Sequence, residues 1–411
     1  MWGYRNSQKD VSMDKRFRFN RLELAGSLGD LGTLLPIAIA MVLVNGLDPL
    51  GLFFSIGIFY IVSGIYFGIT VPVQPMKVIG AYAIATSLSA DQILASSLLM
   101  GVFLLVIGAT GAIDLIRKVT PKSVIRGVQL STGALLMSGG IKFIVGASQF
   151  QTLQNAVEPY LTLQSIGPLP ISLIIGAVAG IATLLLLDNK RYPAGLMVII
   201  GGLLAGLILG ARLDVYSGSW GVHLPGILPL GFPGSADFTF ALFALVLPQL
   251  PMTLGNAVLA YTDLSKQYFG ERSEKVTNRK ACISMALANF FSFFLGGMPM
   301  CHGAGGLAAH YRFGARTAGS NIMIGLIFTL LALILGSNVI SVFHLLPMAI
   351  LGVLLVFAGS QLTLTIMDLD TRKDFFVATL ILGITLASNL AAGFIAGMLV
   401  AQILRWKKLS V

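Results

Sequence analysis

Long apolar stretches alternate with short polar breaks along most of the chain. Stretches of roughly spanning length, on the order of 20 residues, lie at 22–44, 50–70, 92–113, 123–146, 168–187, 193–211, 239–262, 279–297, 319–337 and 344–366. Two shorter apolar pieces lie near 76–89 and 302–311, and the tail 375–404 is long enough for two short spans. The pattern predicts an all-α membrane protein with 14 transmembrane segments.

The two halves of the chain share landmarks at a near-constant offset. Pro121 recurs as Pro347 and Gly133 recurs as Gly359, each 226 positions later (347 − 121 and 359 − 133). Seven segments per half is an odd number, so the second half must enter the membrane from the opposite side. The pattern therefore predicts a 7+7 inverted repeat, as in many transporter folds.

Charge placement predicts the topology and excludes several classes of protein. Only 11% of the residues are charged and 56% are hydrophobic, whereas soluble domains average about 25% charged residues. The net charge of +10 comes from Lys and Arg in alternate short loops, which places both termini in the cytoplasm and argues against nucleic-acid binding. The predicted divisions are a cytoplasmic N-terminal segment 1–21, a first repeat 22–211, an extracytoplasmic loop 212–238 and a second repeat 239–411.

A proline-containing break interrupts each half at matching places. Pro72-Val73-Gln74-Pro75-Met76-Lys77 interrupts the first half, and a Gly-rich run from Met298 to Gly306 interrupts the second. Proline cannot donate a helix hydrogen bond and is well placed at the first position of a helix. We expect two half-helices, segments 3 and 10, which begin near residues 75 and 302 and meet near the midplane of the membrane.

Two helix N-termini that face one another favour an anion, because free N–H groups and the positive dipole ends converge there. Gly303 and Gly305 carry no side chain, so a ligand can approach the backbone closely. We expect neutral donors from Gln74, His302, Thr33, Thr253 and Asn256, and a positive charge from Lys77. The predicted substrate-binding residues are Gln74, Pro75, Lys77, Cys301, His302, Gly303, Ala304, Gly305, Thr33, Gln249, Thr253 and Asn256.

Two titratable residues are candidates for coupling or gating. A charge within the membrane is costly and needs a partner or a role. Asp30 is interpreted as a gate, an ion ligand or a proton site, or else as a structural partner for Lys77 or for freed backbone N–H groups. His302 is interpreted as a donor to an anion, a titrating group or a helix cap. We expect no metal site, no cofactor and no catalytic constellation.

Several of these residues lie in motifs that resemble a known family. The run 72–77 and the run 297–316 resemble the two signature motifs of the molybdate transporter family, a branch of the sulfate permease (SulP) superfamily. The runs 29–33 and 247–256 fit the same family, and the resemblance covers about residues 20–405. It implies a core domain of about 22–114 and 239–337 and a scaffold domain of about 115–211 and 338–408. His310 departs from the family pattern, in which Gln is more common.

The leading hypothesis is a secondary active transporter that imports a tetrahedral oxyanion, molybdate first, by alternating access. Inward movement of a dianion opposes a negative-inside potential, so proton coupling is part of the hypothesis. Sulfate or another anion, a nucleobase and an anion channel are the alternatives. The expected setting is a plasma or inner membrane, with lipid as a partner and a homodimer as an open expectation.

Overall fold

The computed structural model describes residues 16–113, 121–187, 189, 192–211 and 221–404. Most of the predicted N-terminal segment 1–21, the first part of the predicted loop 212–238 and the chain after residue 404 lie outside the described residues. Arg117, Lys118, Lys190 and Arg191, which belong to the short basic loops used above to predict the topology, lie outside them as well.

Helices make up most of the described chain. In chain order they are α1 (Arg21–Ser27), α2 (Leu31–Asn45), α3 (Pro49–Phe67), α4 (Lys77–Thr86), α5 (Ala90–Thr110), α6 (Lys122–Val145), α7 (Gln149–Leu153), α8 (Ile171–Leu186), α9 (Ala194–Ile208), α10 (Ser235–Phe240), α11 (Leu247–Met252), α12 (Tyr261–Phe269), α13 (Asn278–Phe294), α14 (Ala304–Phe313), α15 (Ala318–Leu335), α16 (Val339–His344), α17 (Met348–Thr363), α18 (Arg372–Ala387) and α19 (Leu390–Ile403).

Short strands form two small antiparallel pairs. The strands are β1 (Gln74–Pro75), β2 (Ser165–Ile166), β3 (Leu169–Pro170) and β4 (Met300–Cys301). Strand β1 pairs with β4 across more than two hundred residues of sequence, and β2 pairs with its neighbour β3. The β1–β4 pair therefore ties the two halves of the chain together at the two predicted breaks.

The structure is that of a membrane-type helical protein. Within the described residues, six helices are long and apolar enough to cross a membrane, or seven if the bent pair α1–α2 counts as one span. Shorter apolar helices, among them α4, α8, α9 and α19, accompany them. The count of 14 segments and the inverted repeat stay predictions.

Two predicted spans have irregular backbones. The first is bent by 47° between α1 and α2, and Asp30 lies at this bend as the residue before α2. The eighth runs as one helix from Ser235 to Ser273 through π-helical stretches at Ala241–Val246 and Thr253–Ala260. Pro248 and Pro251 lie between these stretches, and proline removes an α-helical donor. Both irregularities occur in segments that carry predicted site residues.

Helices α6 and α17 pack at backbone contact through glycines. A Cβ on Gly133 would lie 2.5 Å from the carbonyl oxygen of Gly359, and a Cβ on Gly359 would lie 2.6 Å from that of Gly133. Gly140 and Gly352 make the same reciprocal approach at 2.4 and 2.5 Å. A side chain at any of the four positions would separate the helices.

The remaining helices pack in two groups around this arrangement. Helix α3 packs on α15 and α5 packs on α13, whereas α8 and α18 pack on α17 and α6 respectively. The short helix α4 reaches across to α6. The half-helix that follows the first predicted break therefore packs against the second group.

The irregular segment 154–164 joins α7 to β2 and holds one buried carboxylate. Glu158 accepts hydrogen bonds from the backbone N–H groups of Met348 (2.7 Å) and Ala349 (2.9 Å) at the start of α17. Burial raises the pKa of the Glu158 carboxyl to about 7, although these two donors act in the opposite direction. This segment thus fastens a loop to the N-terminus of a long helix.

Candidate anion-binding site

The two short helices α4 and α14 begin beside the β1–β4 pair. Gln74 pairs with Cys301 and Pro75 pairs with Met300, and the Met76 N–H donates to the Pro299 oxygen at 2.9 Å. These pairings keep both segments extended over more residues than predicted. Helix α4 therefore begins at residue 77 and α14 at residue 304, each two residues later than the sequence predicts.

The N-terminus of α4 is already capped by a side chain. The Gln249 Oε1 atom accepts from the N–H groups of Val78 (2.9 Å) and Ile79 (3.3 Å). The Gln249 Nε2 atom donates to Thr253 Oγ1 at 2.8 Å. Both Gln249 and Thr253 are thus occupied in supporting α4, and α4 offers an incoming anion fewer free N–H groups than its length suggests.

The N-terminus of α14 is open. Its N-cap residue, Gly303, provides no side-chain cap, and the first backbone bond in the helix is Leu307 N–H to the Gly303 oxygen at 3.0 Å. Gly305 is exposed, and a Cβ at Gly305 would meet nothing within 4 Å. Among the described residues, no acceptor satisfies the N–H groups of Ala304 and Gly305. We call this opening, formed by residues 303–305, the α14 cradle.

Gln74 connects the cradle to Asp30. The Gln74 Nε2 atom donates to both carboxylate oxygens of Asp30, at 2.9 Å and 2.7 Å. The other amide atom, Gln74 Oε1, is buried and has no hydrogen-bond partner among the described residues. A Cβ on Gly303 would lie 2.0 Å from this oxygen, and a Cβ on Gly306 would lie 2.5 Å from Asp30 Oδ2. Both glycines are therefore required for Gln74 and Asp30 to reach the helix end.

Of two further predicted residues, Asn256 lies at the rim of the cradle and Lys77 lies at the start of α4. Asn256 is half-buried, and its Nδ2 atom lies 3.6 Å from the position that a Cβ on Gly303 would take. Lys77 is the first residue of α4, is half-buried, and acts on Asp30 through its charge. No salt bridge joins Lys77 to Asp30 in the described part of the chain. Lys77 thus supplies a positive field without neutralising Asp30 directly.

His302 points away from the cradle. Its Nδ1 atom lies 3.0 Å from the Pro72 oxygen and its Nε2 atom lies 3.1 Å from Ser284 Oγ. The imidazole ring packs against Phe59 and Tyr261 at centroid distances of 4.9 and 5.1 Å. Both ring nitrogens therefore have partners inside the protein, which suits a residue that positions the break.

Cys301 and Pro75 support the cradle as parts of the strand pair. The Cys301 sulfur lies 3.9 Å from the Pro75 oxygen, and the thiol is buried. Thr33 lies beside Asp30, since its backbone N–H donates to the Asp30 backbone oxygen at 3.0 Å. Thr33 also lines a cavity of about 300 Å³, together with Thr183, Gln361 and Arg312 among others. This cavity lies between α2 and α14 on one side and α8, α9 and α17 on the other.

Two asparagines that the sequence analysis did not single out hold the extended segments. Asn289 donates to the Met300 oxygen at 2.8 Å and accepts from the Met300 N–H at 3.0 Å. Asn321 donates to the Val71 oxygen at 2.7 Å and accepts from the Val71 N–H at 2.8 Å. Each amide replaces a missing backbone partner. A single Asn inside an otherwise apolar predicted span was the available signal.

The fold is similar to that of solved membrane anion transporters. Murine solute carrier 26 family member A9, an anion transporter in the inward-facing state, aligns with a TM-score of 0.67 at 16% identity, over 98% of this chain and 70% of that chain. Another SLC26A9 structure gives 0.62 at 15% identity, and this chain spans 65% of its length. The transmembrane domain of the cyanobacterial bicarbonate transporter BicA gives 0.60 at 16% identity, over 92% of this chain and 97% of that domain.

Sequence comparison defines the family more closely. Residues 22–136 and 241–362 match the family described as "Molybdate transporter of MFS superfamily", and the chain belongs to this family. Molybdate transporter 2 of Arabidopsis thaliana is 31% identical over 422 residues, covering 94% of this chain and 88% of that protein. Molybdate transporter 1 of Chlamydomonas reinhardtii is 30% identical over 470 residues, covering 92% of this chain and 90% of that protein. The resemblance inferred from the motifs is confirmed.

Proposed function

We propose that this protein is a secondary active transporter that imports molybdate, with the oxyanion bound at the α14 cradle. The observation that carries the proposal is the uncapped N-terminus of α14, where exposed Gly305 leaves open space beside free N–H groups. A helix N-terminus of this kind suits a tetrahedral oxyanion. Asn256 adds a neutral donor and Lys77 adds positive charge. The names of the curated relatives support molybdate as the ion.

The cradle also differs from what the alternatives require. A nucleobase is read through several fixed polar side chains, but Gln249 and Thr253 are occupied in capping α4. A channel needs a continuous polar path, whereas the break is lined by buried apolar residues such as Met300 and Val73. Sulfate has the same shape and charge as molybdate and is the second candidate substrate. The proposed activity is transport without a covalent reaction.

The proposed mechanism is alternating access between a core and a scaffold domain. The core would contain about 22–114 and 239–337, and the scaffold about 115–211 and 338–408. Two features support this division: the packing of helices into two groups and the cavity at Thr33 between those groups. The reciprocal contacts of Gly133 with Gly359, and the pairing of β1 with β4, support a 7+7 inverted repeat whose internal axis passes nearby.

Proton coupling through Asp30 is part of the proposal. Bringing a dianion into a negative-inside compartment opposes the potential by about 2.3 kcal/mol per charge per 100 mV. An ionised Asp30 on the order of 6 Å from the anion would add about 3 kcal/mol of repulsion per anion charge at an effective dielectric constant of about 20. A proton on Asp30 removes this repulsion. His302 is the weaker candidate, because both its ring nitrogens are engaged.

Transport by purified protein in proteoliposomes tests the proposal. We expect saturable uptake of radiolabelled molybdate that an inward proton gradient accelerates and that excess tungstate or sulfate reduces. Uracil should have no effect. The Asn256→Leu variant, which removes a rim donor, should raise the half-saturating molybdate concentration. Absence of molybdate uptake, or competition by uracil, would contradict the proposal.

Placement in the membrane is also proposed. We infer a plasma or inner membrane with both termini in the cytoplasm, surrounded by lipid. Large apolar side chains that are exposed on α8 and α9, such as Leu185 and Ile208, support contact with lipid or with a second copy. Accessibility of single introduced cysteines to an impermeant reagent, at residue 8 and in the loop near residue 225, tests the orientation.

A further inference from the structure

We propose that the Gln74 side-chain amide is a two-position switch that makes anion binding depend on a proton at Asp30. This inference rests on the proposed function and deepens it. In the structure, the amide nitrogen of Gln74 faces Asp30, and the amide oxygen faces the α14 cradle. The orientation of one amide group therefore decides what the cradle offers to a ligand.

The structure shows the position that excludes an anion. A carboxylate can only accept hydrogen bonds, so an ionised Asp30 holds the N–H donors of Gln74 to itself. Gln74 Oε1 then lies next to Gly303, buried and without a donor. A carbonyl oxygen carries partial negative charge, and at this point it opposes an oxyanion. The predicted donor Gln74 is thus a repelling group as long as Asp30 is ionised.

A proton reverses the arrangement. When a proton from bulk water forms an O–H bond on one Asp30 oxygen, the carboxylic acid becomes a donor. The Gln74 amide can then rotate by about 180° at its terminal torsion, which is broad and roughly two-fold. Its oxygen accepts from Asp30, and its nitrogen donates toward the cradle. The amide nitrogen and oxygen are nearly equal in size, so the rotation needs no repacking around the buried side chain.

The surroundings leave Asp30 as the group that titrates in this unit. The charged or titratable neighbours that act on it are Lys77 on α4, Tyr60 on α3 and Cys301 on β4. Tyr60 donates its hydroxyl to the Val73 oxygen at 3.2 Å, and Cys301 is buried against Pro75. The proton and the anion are therefore expected to bind together.

Calorimetry on the full-length purified protein tests the switch. Molybdate is titrated between about pH 6 and pH 9 in pairs of buffers with different ionisation enthalpies, which yields the number of protons taken up. Sulfate serves as a second probe, since it does not protonate in this range. In the wild type we expect uptake of about one proton per bound anion at the upper end of this pH range. We also expect Kd to rise about tenfold per pH unit once Asp30 is ionised.

Two variants separate the switch from simple repulsion. Asp30→Asn should bind molybdate without proton uptake and with a Kd independent of pH, whereas Asp368→Asn, a matched change at an exposed carboxylate, should behave as the wild type. Gln74→Met keeps the length of the side chain but has no amide. It should weaken binding about tenfold at low pH and leave it unchanged or stronger at high pH. If Gln74→Met changed the Kd for molybdate by the same factor and in the same direction at low and high pH, the switch would be overturned.

An infrared difference spectrum provides a signal that would not change if Asp30 had only a structural role. Adding molybdate at high pH should produce a protonated-carboxyl band in the wild type, and Asp30→Asn should lack it. Binding without this band or proton uptake would refute the switch and the proposed proton coupling through Asp30, while leaving intact the proposed transport of molybdate through the α14 cradle. Failure of the wild type to bind molybdate or sulfate at any pH would refute the proposed function itself.

Discussion

Replacing Gly305 by alanine tests the α14 cradle with a single methyl group. Gly305 is exposed, and its added Cβ would meet no atom of the described protein within 4 Å. The methyl group would instead stand in the space assigned to the anion. Alanine is a better helix former than glycine by about 1 kcal/mol, so the thermal midpoint of unfolding should not fall. Binding and stability are thereby separated.

The expected loss of affinity follows from the hydrogen bonds at stake. A hydrogen bond to a charged group contributes about 1.5–3 kcal/mol. If the methyl group displaces the oxyanion from one N–H of the helix end, Kd for molybdate should rise by about 10- to 100-fold, since each 1.4 kcal/mol corresponds to about a factor of ten. This loss should be the same for sulfate, because the contact is with oxygen atoms.

Two other glycines act as comparators in the same binding assay with radiolabelled molybdate. Gly383→Ala, at an exposed position of α18, also adds a methyl group that meets no described atom within 4 Å and should leave Kd within about twofold. Gly303→Ala places its methyl group 2.0 Å from Gln74 Oε1 and should lower both affinity and thermal stability. An unchanged Kd in Gly305→Ala would refute the assignment of the cradle.

Three further changes test the supports of the site and the fold. In the wild type, the free energy of unfolding should fall as the pH rises from about 4.5 to about 7, because the raised pKa of Glu158 makes the folded state hold a proton that the unfolded state releases. The total fall is at most about 3 kcal/mol. Glu158→Gln should remove this fall. Thermal midpoints at pH 5 and 8 measure it, and equal slopes in both proteins would contradict it. Gln249→Leu removes the cap of α4 and should cost about 1–3 kcal/mol, with faster amide exchange at Val78. Protection of that amide as in the wild type would contradict the cap. Asn289→Ala should lower the free energy of unfolding by a similar amount, because the Met300 backbone groups lose their hydrogen-bond partner. A loss below about 0.5 kcal/mol would contradict this role of Asn289.

The breaks were predictable because proline and glycine act locally. The prolines at 72 and 75 predict an extended entry followed by a helix, and the structure has both. The exact helix start was not predictable, since it depends on the pairing of Met76 with Pro299 across the two halves. Local chemistry thus predicted the type of each element, and a long-range contact decided its first residue.

The partners of the polar residues were much harder to predict. Asp30 was weighed as a partner for Lys77, yet its hydrogen-bond donor in the structure is Gln74. His302 follows Cys301 in an extended segment, where successive side chains point to opposite faces. The sequence does not say which face meets the cradle, and the structure turns His302 toward Ser284. Gln249 was predicted as a substrate-binding residue. Its use as the cap of α4 depends on the path of α4 beside the eighth segment, which the sequence does not show.

The reciprocal glycine contacts between α6 and α17 restrict which substitutions these two helices can accept. Each of Gly133 and Gly359 lies against the carbonyl oxygen of the other, so a larger residue at either position is blocked by the backbone of the facing helix. No compensating substitution in a side chain can relieve a clash with main-chain atoms. Glycine is therefore expected to persist at both positions, whatever side chains surround them.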